Sequence, residues 1–424
     1  MKLYLRLNIP REKNIVKEYF QHIHGVIIEA HVYDTFERSW SRFLGEANTN
    51  YLIDPVFYKF GLPEITPEYA DKKWFEDLLT IYGIKLTENQ PYINPKFLGE
   101  NKIKSITKNV INYQLSSIPS KIKEAISQAQ TLLSLLEEER PPRPSVTKIS
   151  PEFVIPPYLV IDDSIDFTYK DIIKFNIKTI NYSVKLTKKE KIMPIIAMSE
   201  QVFFDSFKLS DIIKEYAKLP VQTYGIWVAG LDETHKPFML ENLCLFVKYL
   251  KNEASKKIEI INMFGGYFSV ILSSLNMING VVHGLGYGEH KDPTAPSGPV
   301  PPRYYNHLTH RFDPKDFILR LYILYPEIKC QCKVCKRKSL SAMTSEDLTR
   351  HFLEVRIREI KELKGLGLQD IIRKLESNAA KVDEINRKAK ELFKGLDIVR
   401  YLFKGLTTAH INAWITILKK VYIT

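Results

Sequence analysis

Eight short runs rich in apolar and β-branched residues recur along the chain, with amphipathic helical patterns between them. They are KLYLRLNI (2–9), GVIIEAHVY (25–33), NYLIDP (50–55), YLVIDD (158–163), MPIIAMS (193–199), YGIWVAG (224–230), IEIINMFGG (258–266) and GVVHGLGYG (280–288). Strands that alternate with helices such as REKNIVKEYFQHI and ENLCLFVKYLKNEA pair in parallel, because each crossover helix returns the chain to the same end of the sheet. Eight such units predict an α/β fold: a (β/α)8 TIM-like barrel, with its chemistry at the carboxyl ends of the strands. An open doubly wound sheet is the alternative.

The third and fourth runs are separated by a long gap. It contains IPSKIKEAISQAQTLLSLLEEER, in which Ile122, Ile126, Ala129, Leu133 and Leu136 share one helical face. The Pro-rich PPRPS (141–145) ends it, so the gap reads as a helical insertion at about 105–150 within a barrel domain spanning 1–328. Beyond it, 329–424 reads as a C-terminal helical subdomain.

The opening MKLYLRLNIP reads as a strand and lacks the apolar core of a secretory signal. No run reaches the roughly 18 apolar residues needed to span a bilayer. A soluble, cytoplasmic protein with no membrane partner is expected; whether it forms a homo-oligomer is left open. A net charge of +12 favours a polyanionic partner, since phosphate contacts supply most sequence-independent affinity for nucleic acid.

Three of the four cysteines lie within KCQCKVC, while Cys244 stands alone. This crowding suits a metal better than a disulfide framework. The spacing lets Cys330, Cys332 and Cys335 converge on one tetrahedral Zn²⁺, which then needs a fourth ligand; His351 is the nearest downstream candidate and His410, in AHINAW, the other. Four protein ligands leave no open position, so the ion is expected to be structural. Lys329, Lys333, Lys336, Arg337 and Lys338 surround the cysteines as a basic platform suited to a phosphate backbone.

The C-x-C-x2-C knuckle, placed just after the last predicted strand, resembles that of the tRNA-guanine transglycosylase superfamily. YGIWVAGLDE is similar to that family's Gly-Gly-Leu strand end, LIDP and VIDD fall where its barrel aspartates sit, and HINAW is similar to its His-Asn zinc helix, which favours His410 as fourth ligand. The resemblance implies exchange of a guanine in tRNA or DNA for a 7-deazaguanine, with an Asp attacking ribose C1′ and another acid shuttling the proton. Where the family carries the nucleophilic Asp, this chain reads GVVHGLGYGEHKDP, which offers His283, Tyr287 and Glu289 instead.

Substitution at a glycosidic carbon requires a carboxylate near C1′ and a second acid or base for the purine. Asp54 is the candidate base or nucleophile, with Glu289 and His283 as further catalytic candidates. Asp162 or Asp163 would accept from the purine N–H edge, and Gly230 would let a base approach the backbone, whereas Asp232 and Glu233 read as favouring a helix N-terminus. Gly265 and Gly266 form a tight turn or a phosphate nest. The Pro/Gly-rich 291–312 reads as a loop presenting Arg303, Tyr304, Tyr305, His307, His310 and Arg311 to bases and phosphates. Glu29 and His31 share one face of the second strand. An inactive nucleic-acid-binding relative and a purine-releasing glycosidase are the alternatives to base exchange.

Overall fold

The computed structural model describes residues 1–47, 49–135, 149–188, 191–285, 289–294, 301–392 and 406–423. Seven parallel strands form one sheet: β1 Lys2–Leu7, β2 Gly25–Glu29, β3 Asn50–Asp54, β4 Ile195–Met198, β5 Thr223–Val228, β6 Glu259–Asn262 and β7 Gly280–Gly284. Their order is β3-β2-β1-β7-β6-β5-β4. All are buried almost end to end, as parallel strands covered on both faces must be.

The sheet curls into a half-barrel. Tyr58, just past β3, meets Trp227 of β5 edge to face with ring centroids 4.9 Å apart, although several strands lie between β3 and β5 in the sheet. Alternation along β1 turns Tyr4 and Arg6 to the concave side and Leu3, Leu5 and Leu7 to the helices.

The predicted fourth strand, 158–163, is not a strand. The Asn176 side chain takes both the N–H and the carbonyl of Leu159, which removes them from a ladder, and Pro156 and Pro157 just upstream have no N–H to offer. What remains is extended chain in contact with both sheet edges. Glu152 N–H donates to the Tyr51 carbonyl at β3, and Ile161 N–H donates to the Ala197 carbonyl at β4. The 291–312 segment also departs from the expected loop. It contains an antiparallel hairpin, β8 Arg303–Asn306 and β9 Arg311–Pro314, whose four-residue strands are too short to show a period of two.

In the long gap, helices Glu100–Asn112 and Ile118–Leu135 flank a π-helical turn, Tyr113–Ser117. Ile122 and Ile126 close over Gly45 of the helix Glu37–Ala47; a Cβ there would come within 2.7 Å of Ile126. Leu136 and PPRPS lie outside the described residues. The tail forms helices Ser345–Leu363, Leu368–Leu392 and Ala409–Ile423. No helix among the described residues is long and apolar enough to cross a membrane.

Candidate functional site

The cysteine cluster is built from two local structures. Cys332 caps the short helix Lys333–Arg337, its Sγ accepting from Cys335 N–H at 3.4 Å, and this turn brings the two sulfurs together. His351 arrives on the helix Ser345–Leu363, whose start is fixed by a Thr344–Asp347 capping box. Its Nε2–H donates to the Tyr305 carbonyl at 2.8 Å, which turns Nδ1 toward Cys332 and Cys335, 3.3 Å from each sulfur. The ligand atoms of Cys330, Cys332, Cys335 and His351 all lie within 4.8 Å of one another. A tetrahedron with metal–sulfur bonds of ~2.3 Å has edges of ~3.8 Å, inside that envelope.

The surroundings fit a cation. Hydrogen bonds from Cys332 and Cys335 hold the Cys330 thiol far below its usual range, while its contact with Cys330 pushes Cys335 far above. Three crowded thiols cannot all ionise unaided, and a dication removes that conflict. Tyr304, fully buried, stacks on His351 with centroids 4.0 Å apart and approaches Cys335 Sγ through its hydroxyl at 3.3 Å. The cluster could therefore hold a metal ion such as zinc.

Two expectations change here. His410 is not with the thiols: its Nε2–H donates to the Thr309 carbonyl at 2.7 Å, and burial pushes its pKa down to about 4. Tyr304 faces the cluster rather than a substrate.

A second constellation sits at the carboxyl ends of β5 to β7. Glu233 follows β5 and accepts from Ser269 Oγ at 2.5 Å and from the Gly266 N–H. Glu289 follows β7 and accepts from Arg356 Nη2 at 2.5 Å. Both carboxyls approach Gly266, where a Cβ would lie 2.8 Å from Glu233 Oε2 and 3.3 Å from Glu289 Oε2. A side chain at this position would have to push the Glu233 carboxyl aside.

Burial raises the Glu233 pKa and pushes Glu289 up to about 8, Arg356 opposing and Glu233 adding to the latter shift. Glu289 therefore carries a proton at neutral pH. Its raised pKa means that its contribution to stability is full below the unfolded value and is lost as pH rises toward 8. Glu289→Gln is expected to melt like the wild type near pH 4 and at higher temperature than the wild type near pH 9. Calorimetry at the two pH values checks this.

Arg356 is fully buried beneath the rings of Tyr305 and Tyr267, with Glu359 3.3 Å from Nη1. Glu359 in turn accepts from Tyr305 and from His310 Nδ1, the latter at 2.6 Å. His310 stacks on Tyr267 at 3.6 Å, its backbone at φ 54° at the hairpin turn.

A third group occupies the ends of β1 to β3. Arg6 donates from Nη1 to Asp54 Oδ2 at 2.9 Å and to Glu29 Oε1 at 3.1 Å. Asp54 Oδ1 accepts from Val56 N–H and from the Tyr158 hydroxyl. Lys291, from the segment after β7, reaches across to Glu29 at 2.6 Å, its ammonium 5.5 Å from the Tyr58 ring and 5.7 Å from Phe264. Lys59 lies 3.6 Å from Glu29 and 3.4 Å from His31, and burial lowers its pKa to about 8. Arg6 Nε and Nη2, packed over the Phe264 ring, have no partner among the described residues.

The remaining candidates are dispersed. Asp162 accepts from Ser199 Oγ at 2.7 Å. Asp163 is an exposed acid that accepts from Tyr169 N–H at the start of the helix Tyr169–Leu186 and from Lys208. Gly230 adopts φ 67° and donates to the Lys291 carbonyl, which fastens the loop over β5. Arg303 opens β8. His283 pairs in register with Leu5, so it faces outward against Phe352 and not into the mouth; burial holds its ring well below the usual pKa. Tyr287 lies outside the described residues.

Arg6, Arg356 and Glu359 were not legible as site residues. An arginine alternating with leucines in KLYLRL is the one local signal available for Arg6, while Arg356 and Glu359 sit in a helix whose charges look solvated.

Compared with models of protein families, with curated proteins and with solved structures, the chain matches none.

Proposed function

We propose that the protein is an enzyme similar to the tRNA-guanine transglycosylases, acting on a guanine glycosidic bond in tRNA or DNA and exchanging the base for a 7-deazaguanine. One juxtaposition carries this reading: the helix that supplies His351 to the Cys3His cluster also supplies Arg356 to a protonated carboxyl at the strand ends. The extended 152–161 run, in contact with both sheet edges, is read as closing the half-barrel into a (β/α)8 barrel.

The roles follow from the hydrogen bonding. Among the described residues Asp54 Oδ2 accepts from Arg6 alone and keeps a lone pair. It attacks ribose C1′ as the C1′–N9 bond breaks. Glu289 delivers its proton to the departing purine and recovers one from the incoming base in the return step. Cys330, Cys332, Cys335 and His351 would hold a zinc ion, which with four protein donors would be structural and would hold the helix in place.

A non-catalytic nucleic-acid binder is the second reading. It is favoured by Lys291, which covers the mouth and engages Glu29. The two separate on incubation of the protein with labelled guanine and either unmodified tRNA or DNA, followed by denaturing electrophoresis. Exchange predicts incorporated label and a covalent adduct that Asp54→Ala abolishes, with Glu289→Gln slowing incorporation by about 10²-fold or more. Neither label nor adduct on either polynucleotide would leave only the binder; release of free base without incorporation would indicate a glycosidase.

A further inference from the structure

A cleft of about 520 Å³ lies between the cysteine-rich turn and the helix Leu368–Leu392. Lys329 and Arg358 stand on one wall, and Lys374, Lys381 and Lys388 on the other. The last three are seven residues apart, which places them on one helical face at intervals of ~10.5 Å. We infer that this cleft binds the phosphodiester backbone of a polynucleotide, RNA or DNA. The inference rests on the polynucleotide substrate proposed above and adds a place, outside the strand-end mouth, where that substrate is gripped.

Accounting for the carboxylates supports it. Glu362 is engaged by Lys374 at 2.7 Å and Arg358 at 3.7 Å, Glu384 by Lys388 at 2.8 Å, and Glu359 by His310 at 2.6 Å. Lys329 and Lys381, both exposed, form no ion pair among the described residues, so the lining keeps a surplus of positive charge. His307, on the same wall, has an Nδ1 that is shielded from solvent and has no hydrogen-bond partner among the described residues. A concave site with surplus cations focuses its field on an anion more effectively than the same lysines on a convex face. The cysteine cluster stands at one wall and the helix Leu368–Leu392 forms the other, so the protein backbone reorganises little on binding.

Removing Lys329 and Lys381 breaks no ion pair among the described residues, so Lys329→Ala/Lys381→Ala is expected to fold as the wild type does. Fluorescence anisotropy with a labelled mixed-sequence 20-mer, once as RNA and once as DNA, measures affinity from 50 to 200 mM salt. The double variant is expected to bind at least ~10-fold more weakly than wild type at the lower salt. Its slope of log affinity against log salt should fall by about 2, one for each phosphate that is no longer neutralised. Lys108→Ala/Lys123→Ala, on the helices Glu100–Asn112 and Ile118–Leu135, should leave both unchanged. A preference between the two 20-mers identifies the polynucleotide. Wild-type binding that the Lys329/Lys381 variant shares in affinity and slope overturns the cleft and leaves base exchange standing. No binding of either 20-mer by the wild type overturns the polynucleotide substrate, and the cleft with it.

Discussion

If the cluster holds zinc, as we propose, His351→Ala is expected to lose most of it, whereas His410→Ala leaves the metal content unchanged. Both histidines are buried, but only His351 points Nδ1 at the sulfurs, while His410 is engaged by the Thr309 carbonyl. Zinc bound to three thiolates and an imidazole contributes ~10–16 kcal/mol in small peptides that fold only with metal. Here Phe352, Leu353 and Val355, all buried, still hold the helix when a ligand is removed. A destabilisation of at least ~3 kcal/mol is therefore expected, which for a chain of 424 residues, with an unfolding entropy of ~2.1 cal/mol/K per residue, lowers Tm by roughly 3 °C or more. His410→Ala forfeits the bond to the Thr309 carbonyl and the packing against Trp414 and so also destabilises, by about 2–4 kcal/mol, which makes metal content the readout that separates the two variants. Elemental analysis and thermal melts of the two variants check this; equal metal depletion in both would contradict it.

Arg356→Ala is expected to destabilise the protein by about 3–5 kcal/mol, the usual result of leaving buried carboxylates without their cation. Arg356 has no exposed surface, and it is the cation between Glu289 and Glu359. The effect should depend on pH, and its sign can be worked out. Burial opposes ionisation of Glu359, but Arg356 and His310 bring its pKa below the ordinary value. Its contribution is thus present above the unfolded pKa and lost as pH falls through the folded one. Glu289 has a raised pKa, about 8, with Arg356 holding it from going higher. Without Arg356 the penalty of ionising Glu289 grows as pH rises. Both effects make the difference between wild type and variant larger at pH 8 than at pH 4. Urea unfolding at the two pH values tests this, and equal differences would show that Arg356 acts through packing against Tyr305 and Phe352 instead.

The parts of this architecture that were legible are those dictated by local chemistry. Seven of the eight strand runs are strands because each is bounded by turn residues and filled with β-branched and apolar side chains, and KCQCKVC could converge because short spacing leaves little alternative. The fourth run departs because YLVIDD looks like a strand in isolation, while the group that occupies the backbone of Leu159, the Asn176 side chain, comes from a helix further along the chain. The choice between His351 and His410 was beyond local reading, since it depends on which helix returns to the thiols and on a carbonyl, Tyr305, that carries no sequence signature. Glu233 was read as a helix-start residue because LDE precedes a helix; its burial against Gly266 and Ser269 arises from the packing of β5 against β6 and the turn that follows.

Zinc K-edge X-ray absorption of the purified protein tests the account at its centre. Three sulfurs at about 2.3 Å and one nitrogen at about 2.0 Å, at one zinc per chain, are predicted. A sub-stoichiometric metal, or a shell in which oxygen replaces sulfur, would contradict it.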